Sequence, residues 1–517
     1  MKKPDLHNPP NTYPDGEGFV RIPNWIIFLL FLIPILVYLP GILGKIPYPS
    51  ESASFTDLIL THYPYALYLK QSLLEYHQIP FWSNIIHSGA PFAANPLAGL
   101  FYLPGWLAII FPLPEGISVA LAMHSVFGSW GMYLFLKREN SNNIGAVAGA
   151  LCFGLMPKIA AHYGAGHVTL IYAINWTPWL FYASKKDQVG WKTGIAAAML
   201  FLADPRWAVY AGLFWFTYDI AHRHYSKWKD YLWFYLRSGL NAVFIASPLI
   251  LPLIEFTRLS TRTNLDLADI QLYAFPPQKL LGVLIPASGG NPEWYVYAGG
   301  IILGLGIFQV WNIKTIKNTR FWIIWIIISF LLSFGSWIIE PTWLVNIPIL
   351  SLLRVPARIL FLIGFCFSAI TAITLQGFVD KKNSVKISRL VGYGLIVFSI
   401  LMMIGILGTV ETTPLLAIWG FLFLLLAGSW LLLCSTNLNR NGLAWIFVSL
   451  VVVDLLGAGL QGVTFKNKIE PYDEETVNFL INDPGIFRIY SPSYSIPQHL
   501  AAEYSLEMAD GVDPLQI

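Results

Sequence analysis

Long apolar runs separated by short polar stretches form the main pattern of this chain. A helix needs roughly 20 apolar residues to cross a bilayer, and about thirteen runs come near that length. We predict spans at approximately 24–43, 115–136, 143–161, 168–184, 193–204, 207–222, 232–257, 296–312, 320–339, 357–378, 390–410, 413–435 and 442–461. The chain is therefore predicted to be an all-α integral membrane protein.

A large loop, residues 44–114, follows the first predicted span; we call it the first loop. Its apolar run 96–113 is broken by prolines, so we interpret it as a re-entrant or interfacial piece and not as a span. The segment 64–77 places apolar residues at helical spacing, which predicts an amphipathic helix lying on the bilayer surface.

The polar end of the chain predicts a second, smaller unit. We assign residues 1–461 to a transmembrane domain and 462–517 to an extracytoplasmic tail of α/β type. In the tail, 471–475 open a short helix and 487–490 read as a strand. The abrupt ending at Ile517 favours a truncated outer domain.

Composition and charge agree with a membrane protein. Of the 517 residues, 56% are hydrophobic and 12% charged, against about 25% charged in soluble domains, so the chain could not cover a water-exposed surface. The pairs Lys137-Arg138, Lys185-Lys186 and Lys381-Lys382 fall on the same side of the predicted spans. Because cytoplasmic loops are enriched in lysine and arginine, we place the N-terminus inside and the C-terminus outside.

Familiar catalytic and nucleotide-binding motifs are absent from the sequence. It contains no Walker-type phosphate loop, no G-x-G-x-x-G that joins a strand to a helix, and no C-x-x-C, H-E-x-x-H or G-x-S-x-G. The three cysteines lie in apolar runs and read as small core residues. We expect no nucleic-acid partner. The candidate polar residues cluster on the predicted outer face.

Asp57 is the first candidate, with His62 and Tyr63 just beyond it as accessory residues. An aspartate is ionised at neutral pH and can accept a proton from a hydroxyl or hold a divalent cation. The alternative is a solvated loop residue that caps a turn.

Arg354 and Arg358 lie at the mouth of a predicted span. Guanidinium groups grip phosphate bidentately, so this pair could hold a lipid phosphate. The alternative is that both side chains snorkel to the lipid headgroups.

Three further groups are ambiguous from sequence. Asp204 and Arg206 meet where two short apolar pieces join, and they either line a cavity or form a structural pair. His162 and His167 flank a short turn and could ligate a metal or be interfacial polar residues. Glu293 precedes two aromatic residues, a combination that suits a sugar but also suits an interfacial belt.

The order of several short motifs resembles that of the YfhO-like bacterial membrane proteins, within the GT-C class of polytopic glycosyltransferases. The matching stretches are Ser54-Phe55-Thr56-Asp57, Tyr63-Pro64, Ile79-Pro80-Phe81-Trp82-Ser83-Asn84, Gly89-Ala90-Pro91, Phe101-Tyr102-Leu103-Pro104, Gly166-His167, Trp176-Thr177-Pro178, Asp204-Pro205-Arg206, Tyr297-Ala298-Gly299-Gly300, Arg354-Val355-Pro356-Ala357-Arg358 and Gly511-Val512-Asp513-Pro514. The family usually has a Gly-His-Pro-Gln type turn where Asp204-Pro205-Arg206 stands, and its outer domain usually continues past Ile517.

The resemblance implies a transferase in a bacterial plasma membrane that takes its sugar from a polyprenyl-phosphate lipid. The GT-C pattern places an essential carboxylate in the first loop, and the matching position is Asp57. We expect Asp57 to deprotonate an acceptor hydroxyl in a single, inverting displacement. The acceptor is unknown, and Arg354, Arg358 and Arg206 would stabilise the leaving phosphate.

Three questions stay open at this point. Asp57 or Asp204 would hold Mg²⁺ or Mn²⁺ if the reaction uses a metal. The chain could instead be a lipid or polysaccharide transporter, although no inverted repeat is evident. It could also be a non-catalytic membrane scaffold whose tail binds a partner.

Overall fold

The computed structural model describes residues 23–223, 227–260, 267–284, 286, 291–304, 313–337, 355–380, 389–397, 399–400, 423–431, 440–467, 474–492 and 495–513. The first half of the chain is helical over most of its length. Its helices are α1 (Asn24–Leu30), α2 (Ile35–Ile42), α3 (Tyr63–Leu74), α4 (Leu107–Ile110), α5 (Glu115–Arg138), α6 (Asn143–Gly154), α7 (Pro157–Ala165), α8 (Val168–Ser184), α9 (Trp191–Ala203), α10 (Pro205–His222) and α11 (Trp228–Leu259).

The second half continues with helices and carries one of two short strands. The helices are α12 (Leu267–Ile270), α13 (Ile313–Ser333), α14 (Phe361–Asp380), α15 (Arg440–Gln461), α16 (Glu474–Asn482) and α17 (Gln498–Glu503). Residues 300–304, 389–397 and 423–431 are also helical. Strand β1 (Ile46–Tyr48) pairs antiparallel with β2 (Thr464–Lys466), so that Pro47 faces Phe465.

Five helical segments of the described chain are long and apolar enough to cross a membrane. They are Glu115–Arg138, Asn143–Ala165, Trp228–Leu259, Pro356–Gly377 and Asn441–Gln461. Prolines explain two departures from the predicted spans, since a proline lacks the backbone N–H of a helical hydrogen bond. The first span divides into α1 and α2 near Pro34, and 143–161 divides into α6 and α7 at Pro157. The number thirteen stays a prediction.

Glycines allow the central helices to approach closely. A Cβ atom at Gly149 of α6 would lie 2.6 Å from the carbonyl oxygen of Ser368 in α14. One at Gly145 would meet the carbonyl oxygen of Ala372 at the same distance. Small residues at helix interfaces let backbones pack directly when lipid provides no hydrophobic driving force. The pairs α6–α14, α5–α8 and α9–α11 form the main contacts of the bundle.

The first loop folds against the tail. Helix α3 forms near the predicted position, with Pro64 in its first turn, and it packs on α17. Tyr65 of α3 donates a hydrogen bond to Asp513 of the tail, and Asn95 donates to the same carboxylate at 2.8 Å. The proline-broken run 96–113 forms short turns and the four-residue helix α4.

The tail departs from one prediction. Helix α16 forms where a short helix was expected, but 487–490 is not a strand. Only Ile489 makes a β-bridge, to Met508. Strand β2 was not predicted. This strand begins the tail and pairs with the extended segment around Pro47 in the first loop.

Candidate active site

A cavity of about 360 Å³ opens between the first loop, α7–α8, the start of α10 and the turn before α14. Most of the polar residues singled out from the sequence lie on its wall: Asp57, His62, His167, Arg206, Glu293 and Arg358. Residues more than 300 positions apart in the chain therefore meet at one site.

Asp57 stands at the start of a π-helical turn, Leu58–His62, that leads into α3. Its carboxylate makes no capping hydrogen bond to that turn, and the side chain is 48% exposed. Its nearest charged contact is His167, whose Nε2 lies 3.5 Å from Oδ2. Burial alone would raise the pKa of Asp57, but His167, His62 and Arg358 lower it below the usual value. Asp57 is thus an ionised carboxylate that faces the cavity.

Gly166 lets the backbone of Asp57 approach the end of α7. Gly166 has φ of +83°, a conformation that favours glycine, and it ends the helix. A Cβ atom there would lie 2.0 Å from the backbone nitrogen of Leu58 and 2.9 Å from the carbonyl carbon of Asp57. A glycine is therefore required for His167 and Asp57 to sit side by side.

Glu293 connects several basic groups at the base of the cavity. It is 3% exposed and lies in a 3₁₀ turn, Pro292–Trp294, which the Asn291 side chain caps. Its Oε1 accepts from Nε of Arg358 at 2.9 Å, and its Oε2 lies 3.1 Å from Nε2 of His162. Burial would raise the pKa of Glu293, but Arg358 and His162 hold it well below the usual range.

Lys158 is a site neighbour that the sequence reasoning missed. This lysine of α7 is 3% exposed, donates to the backbone carbonyl of Glu293 at 2.5 Å, and lies 5.0 Å from the ring centre of Phe361. The signal was present in the sequence, because an ionisable residue within a predicted span is usually paired or functional.

Arg358 lies on a 3₁₀ turn, Pro356–Leu360, and reaches Glu293 across 65 residues of sequence. Val355 precedes the turn with φ of +64°, which is strained for a β-branched residue. Arg354, predicted to be its partner in phosphate binding, lies outside the described residues.

Asp204 and Arg206 form the pair that the sequence left open. Asp204 is 1% exposed and accepts from Arg206 at 2.6 and 3.0 Å, while also capping α10 at the backbone N–H groups of Arg206 and Trp207. Thr169 donates to the same carboxylate at 3.4 Å. Only Arg206 of the pair lines the cavity.

The two accessory residues next to Asp57 differ in position. His62 is 7% exposed and lines the cavity; burial lowers its pKa to about 4, so it is neutral at pH 7. Tyr63 begins α3, is buried, and does not line the cavity.

Within the part of the chain that the structure describes, one group of ligand-type side chains could hold a metal ion. His162, His167 and Glu293 each offer one ligand atom, and these three atoms lie within 4.8 Å of one another. The sequence had suggested the histidine pair and, separately, Asp57 or Asp204. Both oxygens of Asp204 already accept hydrogen bonds, whereas Asp57 is the more exposed carboxylate.

Comparison with known proteins gives a fold. No family model matches the chain, and no curated protein matches it either. The crystal structure of ArnT from Cupriavidus metallidurans bound to undecaprenyl phosphate superposes with a TM-score of 0.54 at 12% identity, over 94% of this chain and 85% of ArnT. Its apo state gives a TM-score of 0.52.

A second similar structure is the arabinofuranosyltransferase AftD from Mycobacteria. It superposes with a TM-score of 0.50 at 13% identity, and the match covers 89% of this chain but 29% of AftD. Both structures thus share the arrangement of helices described above. The chain has an ArnT-like GT-C fold, as the sequence motifs predicted.

Proposed function

We propose that the chain is a membrane glycosyltransferase that moves a sugar from a polyprenyl-phosphate lipid to an acceptor hydroxyl. One observation carries the proposal: an ionised carboxylate, Asp57, and two guanidinium groups, Arg206 and Arg358, face the same cavity. A base for the acceptor and cations for a leaving phosphate are the two functions that this reaction needs. ArnT, which shares the fold, was crystallised with undecaprenyl phosphate.

The reaction would be a single displacement. Asp57 accepts the proton of the acceptor hydroxyl as its oxygen bonds to the anomeric carbon. The bond between that carbon and the phosphate oxygen breaks, and its electron pair stays on the phosphate. One displacement inverts the anomeric centre. His167 touches Asp57, so it orients the carboxylate and stabilises its ionised form.

The two arginines would neutralise the charge that develops on the departing phosphate. Each is already held by a carboxylate, Arg206 by Asp204 and Arg358 by Glu293, so its orientation is fixed before the donor arrives. Preorganised cations stabilise a transition state more than mobile ones do. Arg354 is proposed as a third phosphate ligand on its sequence position alone.

A neighbouring apolar cavity suits the lipid part of the donor. It measures about 50 Å³ and is lined by residues of α3, α4 with the 3₁₀ turn before it, and α8, including Leu69, Trp106 and Tyr172. His62 and Thr169 border both cavities. A cavity of this size has room only for the start of the isoprenoid chain, which would lie here while the phosphate reaches the arginines.

The wider assignments are proposals of the same kind. We propose a YfhO-like protein of a bacterial plasma membrane, with the N-terminus cytoplasmic and the tail outside. A Mg²⁺ or Mn²⁺ ion at Asp57 or Asp204 stays a prediction. A cysteine at the exposed Asn467 tests the orientation, because an impermeant thiol reagent should label it in intact cells. Labelling only after the membrane is opened would reverse the orientation.

The activity test uses the purified full-length protein in lipid nanodiscs. Polyprenyl-phosphate hexose and pentose donors are supplied in turn with cell-envelope extract as acceptor, and release of polyprenyl phosphate is measured. We expect release with one donor class, dependent on Asp57. Equal background release by the wild type and Asp57→Asn with every donor would contradict the assignment. Movement of the intact lipid across the bilayer instead would favour the transporter alternative.

A further inference from the structure

Two histidines point ring nitrogens at the same buried carboxylate, that of Glu293. Nε2 of His162 lies 3.1 Å from Oε2, and Nδ1 of His167 lies 3.9 Å from Oε1. The proposed glycosyl transfer uses Glu293 to hold Arg358 and His167 to orient Asp57, but it gives no role to the two histidine nitrogens that face Glu293. The hydrogen bonding of each imidazole shows what these nitrogens lack.

The tautomer of His162 follows from its other nitrogen. Nδ1 lies 2.9 Å from the backbone carbonyl of Lys158, which can only accept, so Nδ1 carries the hydrogen. In a neutral imidazole Nε2 then has a lone pair, and that lone pair faces a carboxylate oxygen. Two acceptors at 3.1 Å are stable only with a proton or a metal cation between them.

His167 repeats this arrangement from the other side. Its Nε2 faces Asp57, a carboxylate that can only accept, so the hydrogen belongs on Nε2. Its Nδ1 is buried and has no hydrogen-bond partner among the described residues. The free lone pair of Nδ1 points toward Glu293. A carboxylate or a carbonyl holding one nitrogen while the other stays free is how metal-binding histidines are usually oriented.

We propose that His162, His167 and Glu293 bind a divalent transition-metal ion of the Zn²⁺ type. Tetrahedral Zn²⁺ sits at about 2.0–2.1 Å from nitrogen and oxygen ligands, which sets ligand atoms about 3.3 Å apart. Nε2 of His162 and Oε2 of Glu293 are 3.1 Å apart, close to that value. One ligand atom from each of the three residues lies within 4.8 Å of the other two, so a small movement of His167 would complete the set. Two imidazoles and one carboxylate suit Zn²⁺ or Co²⁺, whereas Mg²⁺ and Mn²⁺ favour oxygen ligands.

The charges around the site leave room for such an ion. Arg358 binds Oε1 of Glu293 with both Nε and Nη2, so Oε2 remains available to a metal beside His162. Asp57, which contacts His167, is a second carboxylate within reach of the ion's charge. The fourth ligand position would open to the cavity that His167 and Glu293 line. The ion would supply positive charge beside the proposed phosphate site.

Metal content can be measured without any sugar transfer. The proposal of a metal site can therefore be refuted while the proposed function holds, and the proposed function can be refuted while the metal site holds. The full-length protein, carrying a tag without histidine, is purified in detergent and stripped with a chelator. It is then reloaded with Zn²⁺ or Co²⁺ and freed of unbound ion. Elemental mass spectrometry gives metal per chain, and visible absorption of Co²⁺ reports tetrahedral coordination.

His167→Gln is the decisive variant, because His167 is the most exposed of the three ligands and its loss leaves the Glu293–Arg358 pair intact. The matched control is His124→Gln. His124 is also buried, with Nδ1 2.7 Å from a backbone carbonyl, but it lies on α5 beside Tyr102.

We expect about one Zn²⁺ per chain in the wild type and in His124→Gln, and less than about a fifth of that in His167→Gln. Added Zn²⁺ should raise the thermal unfolding temperature of the wild type and leave that of His167→Gln unchanged. A wild type without stoichiometric metal would overturn the proposal. So would equal metal in His167→Gln. The first result would leave a proton, and not a metal ion, between Nε2 of His162 and Oε2 of Glu293. The second would show that His167 is not a ligand.

Discussion

Replacing Asp57 by asparagine separates catalysis from structure at the centre of the cavity. The substitution keeps the size of the side chain and removes its charge. The carboxylate caps no turn, and its one close charged contact is the 3.5 Å approach to His167. An exposed pair of this kind contributes about 0–1 kcal/mol to stability, so the variant should fold and insert almost normally.

The effect on rate should be much larger than the effect on stability. Loss of a general base typically slows a reaction by about 10²–10⁴-fold. At 1.36 kcal/mol for each factor of ten, this range corresponds to roughly 2.7–5.4 kcal/mol in the activation barrier. Asp57→Glu keeps the charge at a displaced position and should retain part of the activity. Donor binding should change little in both variants, because the arginines are intact.

The assay is release of polyprenyl phosphate per folded molecule, with the folded fraction taken from gel filtration and thermal unfolding. Glu507→Gln is a matched control. Glu507 is a similarly exposed carboxylate that pairs with Arg488 at 3.3 Å, on the tail and away from the cavity. The control should turn over like the wild type. Wild-type turnover in Asp57→Asn would refute the catalytic assignment.

Three further substitutions test how the site is held together. Arg358→Ala should lower the free energy of unfolding by about 3–5 kcal/mol, because it leaves the buried carboxylate of Glu293 without its main cation. Arg358→Lys should fold but bind the donor less tightly, because lysine cannot bind phosphate bidentately. Equal donor affinity in the Lys variant would place the phosphate elsewhere. Gly166→Ala should lower both the folded yield and the turnover per folded molecule, because its Cβ would lie 2.0 Å from the backbone nitrogen of Leu58 and would displace Asp57. Wild-type yield and turnover would show that the contact relaxes freely. His62→Gln should flatten the pH dependence of thermal stability. Burial depresses the pKa of His62 in the folded protein to about 4, against about 6.5 in the unfolded chain. The wild type should therefore have its full stability above about pH 6.5 and lose up to roughly 3 kcal/mol of it as the pH falls toward 4. Parallel stability profiles of wild type and variant would contradict this.

The helical part of the fold followed from hydrophobic pattern and proline chemistry. The runs that became α5 and α11 are long and apolar, so length and composition identified them, even though α11 contains Pro248 and Pro252. The break at Pro157 was not predicted, although a missing N–H makes it intelligible. The pairing of β1 with β2 depends on contacts across more than 400 residues, and local pattern carries no information about such contacts.

The sequence predicted individual residues of the site but not which of them pair with each other. Asp57, Arg206 and Glu293 were identified because charged groups near a membrane surface are costly unless they are used. Their pairings were not, since Glu293 binds Arg358 from a distant loop. Lys158 lies inside an otherwise apolar run, and the run was interpreted as a span without assigning a role to its single charge.

The arginines of the cavity share an arrangement that explains how a paired cation can still bind a ligand. Arg206 binds Asp204, and Arg358 binds Glu293, each with the Nε and Nη2 edge of its guanidinium group. A guanidinium group has five N–H donors, so the Nη1 side of each remains for another acceptor. The buried carboxylates therefore fix both groups in orientation without saturating them. A phosphate that binds the remaining donors breaks no existing pair and finds cations already in position, which is the condition under which electrostatic stabilisation lowers a barrier most effectively.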